Sequence, residues 1–389
     1  MEYTYRFRLD PSKPAKVFLN KLVGSCRFLY NKLLEISKEE KLYNYYELKK
    51  RIVNLKKEYP FLKETNSQSL QGSCLNLKRA FDNFFNKRAK FPNFKSKNKR
   101  NSISIPQFFK IADNKLYIPK LKTAIPIILH RKSIGNIKSI SITKTPSGKY
   151  YLNVLVEREM NKLSSNKNAV ALDMGLMTFA KLSNGEEIKN LRFYKKAEKR
   201  VKKIQKKLSK KQKGSNNRKK AIIKVAKVHE KIKNKRNDFL HKESLKVIRD
   251  NQTIIMEDLK VKNMIRNKKL SKSIQDASWS EFNRMIKYKA RWYGREYIEL
   301  DAFYPSTKKC SICGYKNQKL DIHTRKWICP KCRTFHDRDY NATINQLKIG
   351  LGQSKLTPVD YAMAAEQKYI FWSTSYHKRK QEACHFNGE

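Results

Sequence analysis

Residues 1–9 alternate polar and apolar positions, the two-residue period of a half-buried strand. Asp10-Pro-Ser-Lys then offers a helix start, after which Val17, Leu22, Phe28, Leu29, Leu33 and Ile36 recur at roughly three-and-four spacing. A second helical pattern runs from about Tyr43 to Glu58 and stops at Pro60. A third, Ser67 to Arg88, carries Leu70, Leu75, Leu77, Phe81, Phe84 and Phe85. The period then shortens. Ser102–Ile105, Lys115–Ile118, Ile125–His130, Ile137–Thr143 and Tyr150–Val156 read as short strands, broken by Pro106, Pro119, Pro126 and Pro146-Ser-Gly148. A compact β-barrel fits this pattern. If residues 1–9 supply one of its strands, the helical stretch is an insertion into it.

A polar linker, Asn161–Asn168, leads into Ala169-Val-Ala-Leu172-Asp173-Met-Gly175, a short apolar run with an acid at its end. Thr178–Leu182 makes the next strand. From Tyr194 to Arg236 lysine and arginine dominate, with Glu198 and Glu230 the only acids. Val201, Ile204 and Leu208, then Ile222, Val225, Val228 and Ile232, keep helical spacing either side of Gly214-Ser-Asn-Asn217. The pattern predicts a hairpin of two long helices, each with one packed stripe and a cationic exterior. Thr253-Ile-Ile-Met256-Glu257-Asp258-Leu259 repeats the apolar strand that ends in a carboxylate. Phe282, Met285, Ile286 and Ala290 mark another amphipathic helix, and Tyr297–Phe303 another strand. After Leu347 the periodicity weakens, and residues 351–389 are expected to be a mobile tail.

Composition narrows the partners. Among 389 residues, 88 Lys and Arg face 34 Asp and Glu, for a net charge of +54. No ordinary fold needs such an excess, so a polyanion is the expected partner. There is neither an 18-residue apolar run nor an apolar N-terminal signal core, so an anionic membrane is the poorer choice. With 11% aromatic residues there is material both to pack and to stack on bases. The near-absence of acids from the 194–236 hairpin removes the usual intrahelical ion pairs and favours contact with phosphates. Cys310-Ser-Ile-Cys313 and Cys329-Pro-Lys-Cys332, fifteen residues apart, have the spacing of a zinc ribbon that offers four thiolates to one ion. Cys26, Cys74 and Cys384 are scattered singly, as in a reducing, cytoplasmic setting.

Three carboxylates then stand out: Asp173 and Glu257 at strand ends, and Asp339 at the start of a late helix. Each alone has a plainer reading as a turn or cap residue. Together they could converge in an α/β layer and seat Mg²⁺ or Mn²⁺, hard ions that take carboxylate and phosphate oxygens. Two such ions can drive hydrolysis of a phosphodiester.

In this order, Ala-Leu-Asp173-Met-Gly, Met-Glu257-Asp-Leu, the two cysteine pairs and Asp339-Tyr-Asn-Ala closely resemble the TnpB proteins of insertion sequences. Compact type V CRISPR effectors share the pattern. Phe91-Pro-Asn-Phe-Lys95, Gly148-Lys-Tyr-Tyr151 and Tyr288-Lys-Ala290 extend the likeness over essentially the whole chain. The resemblance implies an α+β multidomain protein with an N-terminal wedge-like β-barrel (1–10 and 89–162) and an inserted helical recognition lobe (11–88). It further implies an RNase H-like RuvC nuclease domain (163–304 and 336–350) with a zinc-ribbon, target-binding segment at 305–335. Asp173, Glu257 and Asp339 become the catalytic metal ligands, and Asp258 and Asp337 neighbours that the pattern does not demand. A guide RNA from the transposon end would direct cleavage of double-stranded DNA beside a short flanking motif, the protein acting as a monomer. A non-catalytic RNA- or DNA-binding regulator would keep the ribbon and basic helices, but it has no need of all three acids. Nothing resembles the metal-binding histidine pair of a transposase that works through a covalent tyrosine.

Overall fold

The computed structural model describes residues 1–97, 101–301, 306–321 and 323–352. The expected tail lies outside them from residue 353 onward. The chain divides into two units, Met1–Glu159 with Lys211–Lys227, and Met160–Lys210 with Val228–Glu389.

In the first unit, β1 (Glu2–Leu9) buries Tyr5, Phe7 and Leu9 and exposes the residues between them, as its alternation requires. Ser12 caps α1 (Lys13–Glu39) by accepting from Ala15 N. Pro14 sits in the first turn, where its missing N–H goes unneeded. Asn44 and Asn66 cap α2 (Tyr45–Glu58) and α3 (Ser67–Phe85) in the same way. The helices bury Leu19, Leu29 and Leu33, then Leu48 and Leu55, then Leu70, Leu77 and Phe81. Val17, Leu75 and Phe85, expected in the packed stripes, are exposed: Val17 and Leu75 fall on the side of α1 and α3 away from the buried residues, and Phe85 is the last residue of α3.

The strands are β2 (Asn101–Ile105), β3 (Lys110–Ala112), β4 (Lys115–Tyr117), β5 (Ile125–Ile128), β6 (Asn136–Lys144) and β7 (Tyr150–Glu157). They form one antiparallel sheet with β1, in the order β2-β6-β7-β1-β5-β4-β3. β1 is an inner strand, paired with β7 from Glu2↔Glu157 to Leu9↔Tyr150 and with β5 on its other side. Thus α1–α3 do intervene between a strand and the sheet it belongs to, and they share one core with that sheet. Barrel closure is not shown, because no pairing joins the end strands β2 and β3 among the described residues.

The second unit is built on a five-stranded sheet of β8 (Ala169–Met174), β9 (Thr178–Leu182), β10 (Glu187–Lys189), β11 (Thr253–Glu257) and β12 (Glu296–Leu300), in the order β10-β9-β8-β11-β12. β8 is antiparallel to β9 and parallel to β11, which is parallel to β12. The helices are α4 (Phe193–Ser209), α5 (Asn216–Asp250), α6 (Val261–Met264), α7 (Ser271–Ala277) and α8 (Trp279–Tyr293). The hairpin β13 (Lys326–Ile328) and β14 (Phe335–Asp337) then leads into α9 (Arg338–Gly350). The packed stripe expected along the whole α4–α5 hairpin is much shorter. Val201 is the one fully buried residue of α4, and α5 is buried only from Ile232 onward, through Leu240, Val247 and Ile248. Among the described residues no helix is long and apolar enough to cross a membrane.

Candidate active site and cysteine cluster

β8 and β11 run in register, with Met256 beside Leu172, so the next residues, Glu257 and Asp173, stand side by side at the strand ends. Strand parity decides where they point. Val170, Leu172, Ile254 and Met256 enter the core shared with α5 and α8, whereas Ala171 and Ile255 enter the opposite core with Leu347 of α9. Asp173 and Glu257 share the parity of Ala171 and Ile255, and therefore face α9. That helix packs across β8, β9, β11 and β12. Its close approach requires Gly350, where a Cβ would come within 2.6 Å of Ile255 Cδ1.

Asp337, not Asp339, is the N-cap of α9. Its Oδ1 accepts from Tyr340 N at 2.9 Å, and its carboxylate also receives Lys181 Nζ at 3.0 and 3.2 Å. Burial works against the Lys181 charge, but Asp337, Glu187 and Asp339 outweigh it and raise its pKa. Asp339 lies in the first turn of α9 and takes two contacts from Arg325 Nη1, at 3.2 and 3.3 Å. Burial, reinforced by repulsion from Glu257 and then Asp339, pushes the Asp173 carboxyl up to about 7. Burial also raises Glu257, opposed by the Ser306 hydroxyl, which donates to Glu257 Oε1 at 3.1 Å, and by Gln346. Gln346 is fully buried beside both carboxylates and draws both down. Even so, neither of its amide atoms has a well-aligned hydrogen-bond partner.

The site is therefore short of positive charge, and its hard oxygen donors suit a divalent cation. The three carboxylates are close enough to repel, yet among the described residues only the four cysteines bring their ligand atoms all within 4.8 Å of one another. A wider spread of acids is compatible with a pair of ions about 3.5–4 Å apart, each held by a different subset of ligands. A separate cavity of about 550 Å³, lined by Tyr194, Lys233, Arg236 and Glu281 among others, includes none of the three acids.

The sulfurs of Cys310 and Cys332 lie 3.6 Å apart, as do those of Cys313 and Cys329. Tetrahedral zinc with bonds of about 2.3 Å needs sulfurs separated by about 3.8 Å, and the cluster fits a structural zinc. Each Cys-x-x-Cys turns through a matching knuckle, with Gly314 N bonded to Cys310 O and Arg333 N to Cys329 O. Hydrogen bonds from Thr334 draw the Cys332 thiol down to about 6, while burial pushes Cys310 up to about 12. A bound cation would favour the thiolate form at both. His336 Nε2 lies 3.0 Å from Cys310 Sγ, and it is the donor when that sulfur is a thiolate. Sequence reasoning did not assign roles to Lys181, Ser306, Arg325, His336 or Gln346. Only Gln346 carried a signal, seven residues beyond Asp339 and hence on the same face of α9.

The chain is 35% identical over 361 residues to the "Putative RNA-guided DNA endonuclease" of Streptomyces pristinaespiralis, covering 90% of each protein. The chain belongs to the TnpB family. It is also 30% identical over 371 residues to "Putative RNA-guided DNA endonuclease InsQ" of Escherichia coli K12, covering 89% of this chain and 92% of that one. A third relative, "TnpB-like protein L770" of Acanthamoeba polyphaga mimivirus, is 28% identical over 303 residues, or 72% of this chain and 56% of its own. Residues 151–268 match the family described as "Probable transposase", and residues 279–346 the "Cas12f1-like, TNB domain". Residues 1–45 match a "Helix-turn-helix domain"; in this TnpB chain they form β1, the long helix α1 and the short connection to α2, which begins at Tyr45. Among solved structures, the Cas12f1–sgRNA–target DNA complex superposes with a TM-score of 0.56 at 16% identity, covering 85% of this chain and 82% of that one. That likeness establishes the shared α+β fold.

Proposed function

We propose that this TnpB protein is an RNA-guided DNA endonuclease, in which a guide RNA selects double-stranded DNA beside a short flanking motif. One RuvC-like site, built on the five-stranded sheet and α9, then cuts both strands in turn. The observation that carries this reading is the convergence of Asp173, Glu257 and Asp339 from three distant points of the chain onto one face, close enough for their charges to raise Asp173. Relatives named as RNA-guided DNA endonucleases along nearly their whole length support it.

In this mechanism Asp173, Glu257 and Asp339 would hold Mg²⁺ or Mn²⁺. A divalent ion held there would supply the activation of a water and the stabilisation of the leaving oxygen that phosphodiester hydrolysis needs. Ser306 keeps Glu257 oriented through its hydroxyl, and Gln346 is the buried polar neighbour of both strand-end carboxylates. Arg325 and Lys181 place positive charge where a scissile phosphate would approach the acids. Affinity for nucleic acid comes from elsewhere, from the cationic excess of +54. Residues 1–10 with 89–162 act as the wedge, 11–88 as the recognition lobe and 305–335 as the target-binding segment, with the guide transcribed from the transposon end and the protein working as a monomer.

The test is purification of the expressed protein with its RNA, sequencing of that RNA, and cleavage of a plasmid carrying a matching target in Mg²⁺. Asp173→Ala, Glu257→Ala and Asp339→Ala should each retain the RNA and lose cleavage by several orders of magnitude, on the order of 10³-fold or more, because the acids act as one unit. If all three variants cut like the parent, the acids are turn and cap residues and the endonuclease reading fails. RNA binding with no cleavage by the parent protein would point to the regulator instead.

A further inference from the structure

The cysteine cluster and the three acids are joined through one helix. Asn341 and Asn345 stand one turn apart on α9, 1% and 3% exposed, and both are bonded to the segment that carries Cys310. Asn341 Oδ1 accepts from Ser311 N at 2.8 Å, and its Nδ2 donates to Lys309 O at 2.8 Å. Asn345 Nδ2 donates to Lys309 O at 2.6 Å and to Ser306 O at 2.8 Å. The residues on either side of Cys310 are thus both fastened to α9, and Lys348 Nζ adds a further bond to Ser311 O. Ser306, at the start of the same segment, is the residue whose hydroxyl donates to Glu257. On the other side of the cluster His336, against Cys310 Sγ, lies three residues before Asp339 on the strand that runs into α9.

A metal that only stapled a target-binding flap would need none of these bonds. Buried amides are costly unless paired, so the four asparagine bonds fix the register of α9 against the Cys310 knuckle. Two of the three acids, Glu257 and Asp339, each lie within a few bonded steps of Cys310.

We propose that Asn341, Asn345 and Ser306 are positioning residues that couple occupancy of the cysteine site to binding of a divalent ion by Asp173, Glu257 and Asp339. The inference rests on the reading of those acids as the seat of that ion. With the cysteine site empty, the knuckle loosens, the asparagine bonds lose their fixed partners, and Ser306 no longer holds Glu257. Coupling of this kind is reciprocal: the factor by which zinc raises affinity at the acids is the factor by which an ion at the acids raises zinc affinity.

The experiment uses the full chain with its copurified RNA and Mn²⁺ as the probe, with free Mn²⁺ read by electron paramagnetic resonance. Zinc-depleted protein should bind Mn²⁺ about tenfold more weakly than zinc-loaded protein, the scale of one buried hydrogen bond. Asn345→Asp replaces the donating Nδ2 with an oxygen at nearly constant shape. It should weaken zinc retention against a chromophoric chelator and Mn²⁺ affinity by similar factors. It should also raise the Mn²⁺ concentration that half-saturates cleavage while changing the saturated rate much less, a split that general destabilisation does not produce. Equal Mn²⁺ affinity with the cysteine site full and empty overturns the coupling. Should the depleted protein aggregate, the reciprocal arm decides: Mn²⁺ must tighten zinc retention in the parent protein by the corresponding factor, and no effect overturns the proposal. Asp173→Ala separates the two readings, because unchanged Mn²⁺ affinity there refutes the acids as the ion's seat and with them the proposed nuclease centre.

Discussion

Asp173→Asn should stabilise the metal-free protein while abolishing cleavage. The native carboxyl sits at about 7, against 3.8 for the ordinary group, because it is buried and faces Glu257 and Asp339. A raised acid binds its proton more tightly in the folded state, so folding is penalised as pH climbs from the unfolded value through the folded one. The penalty is absent below about pH 4, grows between 4 and 7, and is complete above 7. A rise from 3.8 to about 7 corresponds to a ceiling of about 4 kcal/mol at pH 8 and about 1–2 kcal/mol at pH 5. Asparagine has nearly the same shape and carries no charge at any pH. The variant's advantage in urea or thermal unfolding of the second unit should therefore widen by about 2–3 kcal/mol from pH 5 to pH 8, in buffer free of added divalent ions. Added Mg²⁺ should narrow the gap at pH 8, since it stabilises only the parent. An advantage that is absent, or that shrinks as pH rises, would show that Asp173 is well solvated and that the repulsion argued here is not felt.

Asp337→Ala removes the α9 cap and the partner of Lys181. It should cost about 1–3 kcal/mol in unfolding measurements yet leave measurable cleavage, whereas Asp258→Ala, which frees only an exposed pair with Lys260, should leave both nearly unchanged. Gly350→Ala forces α9 off Ile255 and should cost about 1–3 kcal/mol, with cleavage falling further than RNA affinity. Replacing Lys202, Lys203, Lys206 and Lys207, all exposed on α4, by Ala should weaken RNA and DNA binding and flatten its salt dependence by up to about 0.7–0.9 in log–log slope per lost phosphate contact. An unchanged slope would make that face merely solvated. Substituting Ser for Cys329 should abolish zinc in elemental analysis and unfold the β13–β14 ribbon, because structural zinc supplies folding energy.

What the sequence made legible is what local chemistry dictates. The cysteine pairs bind through short turns of fixed shape, so spacing alone assigns them. The two strand-end acids follow from an apolar run that stops at a carboxylate, and their common face follows from counting back two residues to Ala171 and Ile255. The three-residue strands β3 and β10 escaped because so short a run has no measurable period, although the Asp113-Asn114 turn before β4, both residues at positive φ, is a hairpin signal. Barrel closure is a matter of pairing between distant strands, which no local pattern specifies. The length of the buried stripe on α5 is likewise set by what packs against it. Ser306, Asn341, Asn345 and Gln346 read as ordinary polar residues in the sequence, and only the position of α9 over the sheet gives them their partners.

The same logic explains how a chain of net charge +54 can hold an acid at about 7. Were the overall field in control, every carboxylate would be depressed, since cations outnumber acids by more than two to one. Surface charges are screened beyond about 8–10 Å at physiological salt, and most of the lysines are exposed. Asp173 instead responds to what lies within a few ångströms: loss of water, two like charges, and a glutamine whose amide atoms lack aligned partners. Arg325 and Lys181 pair with Asp339 and Asp337, and the attraction of Arg338 for Asp173 is too weak to offset burial and the two like charges. On the proposed reading, the cationic surface gathers polyanions while the acids keep the negative charge that a small divalent ion would need. The two charge systems work at different ranges, and that separation would let one chain bind phosphates strongly and still keep a negative site among its acids.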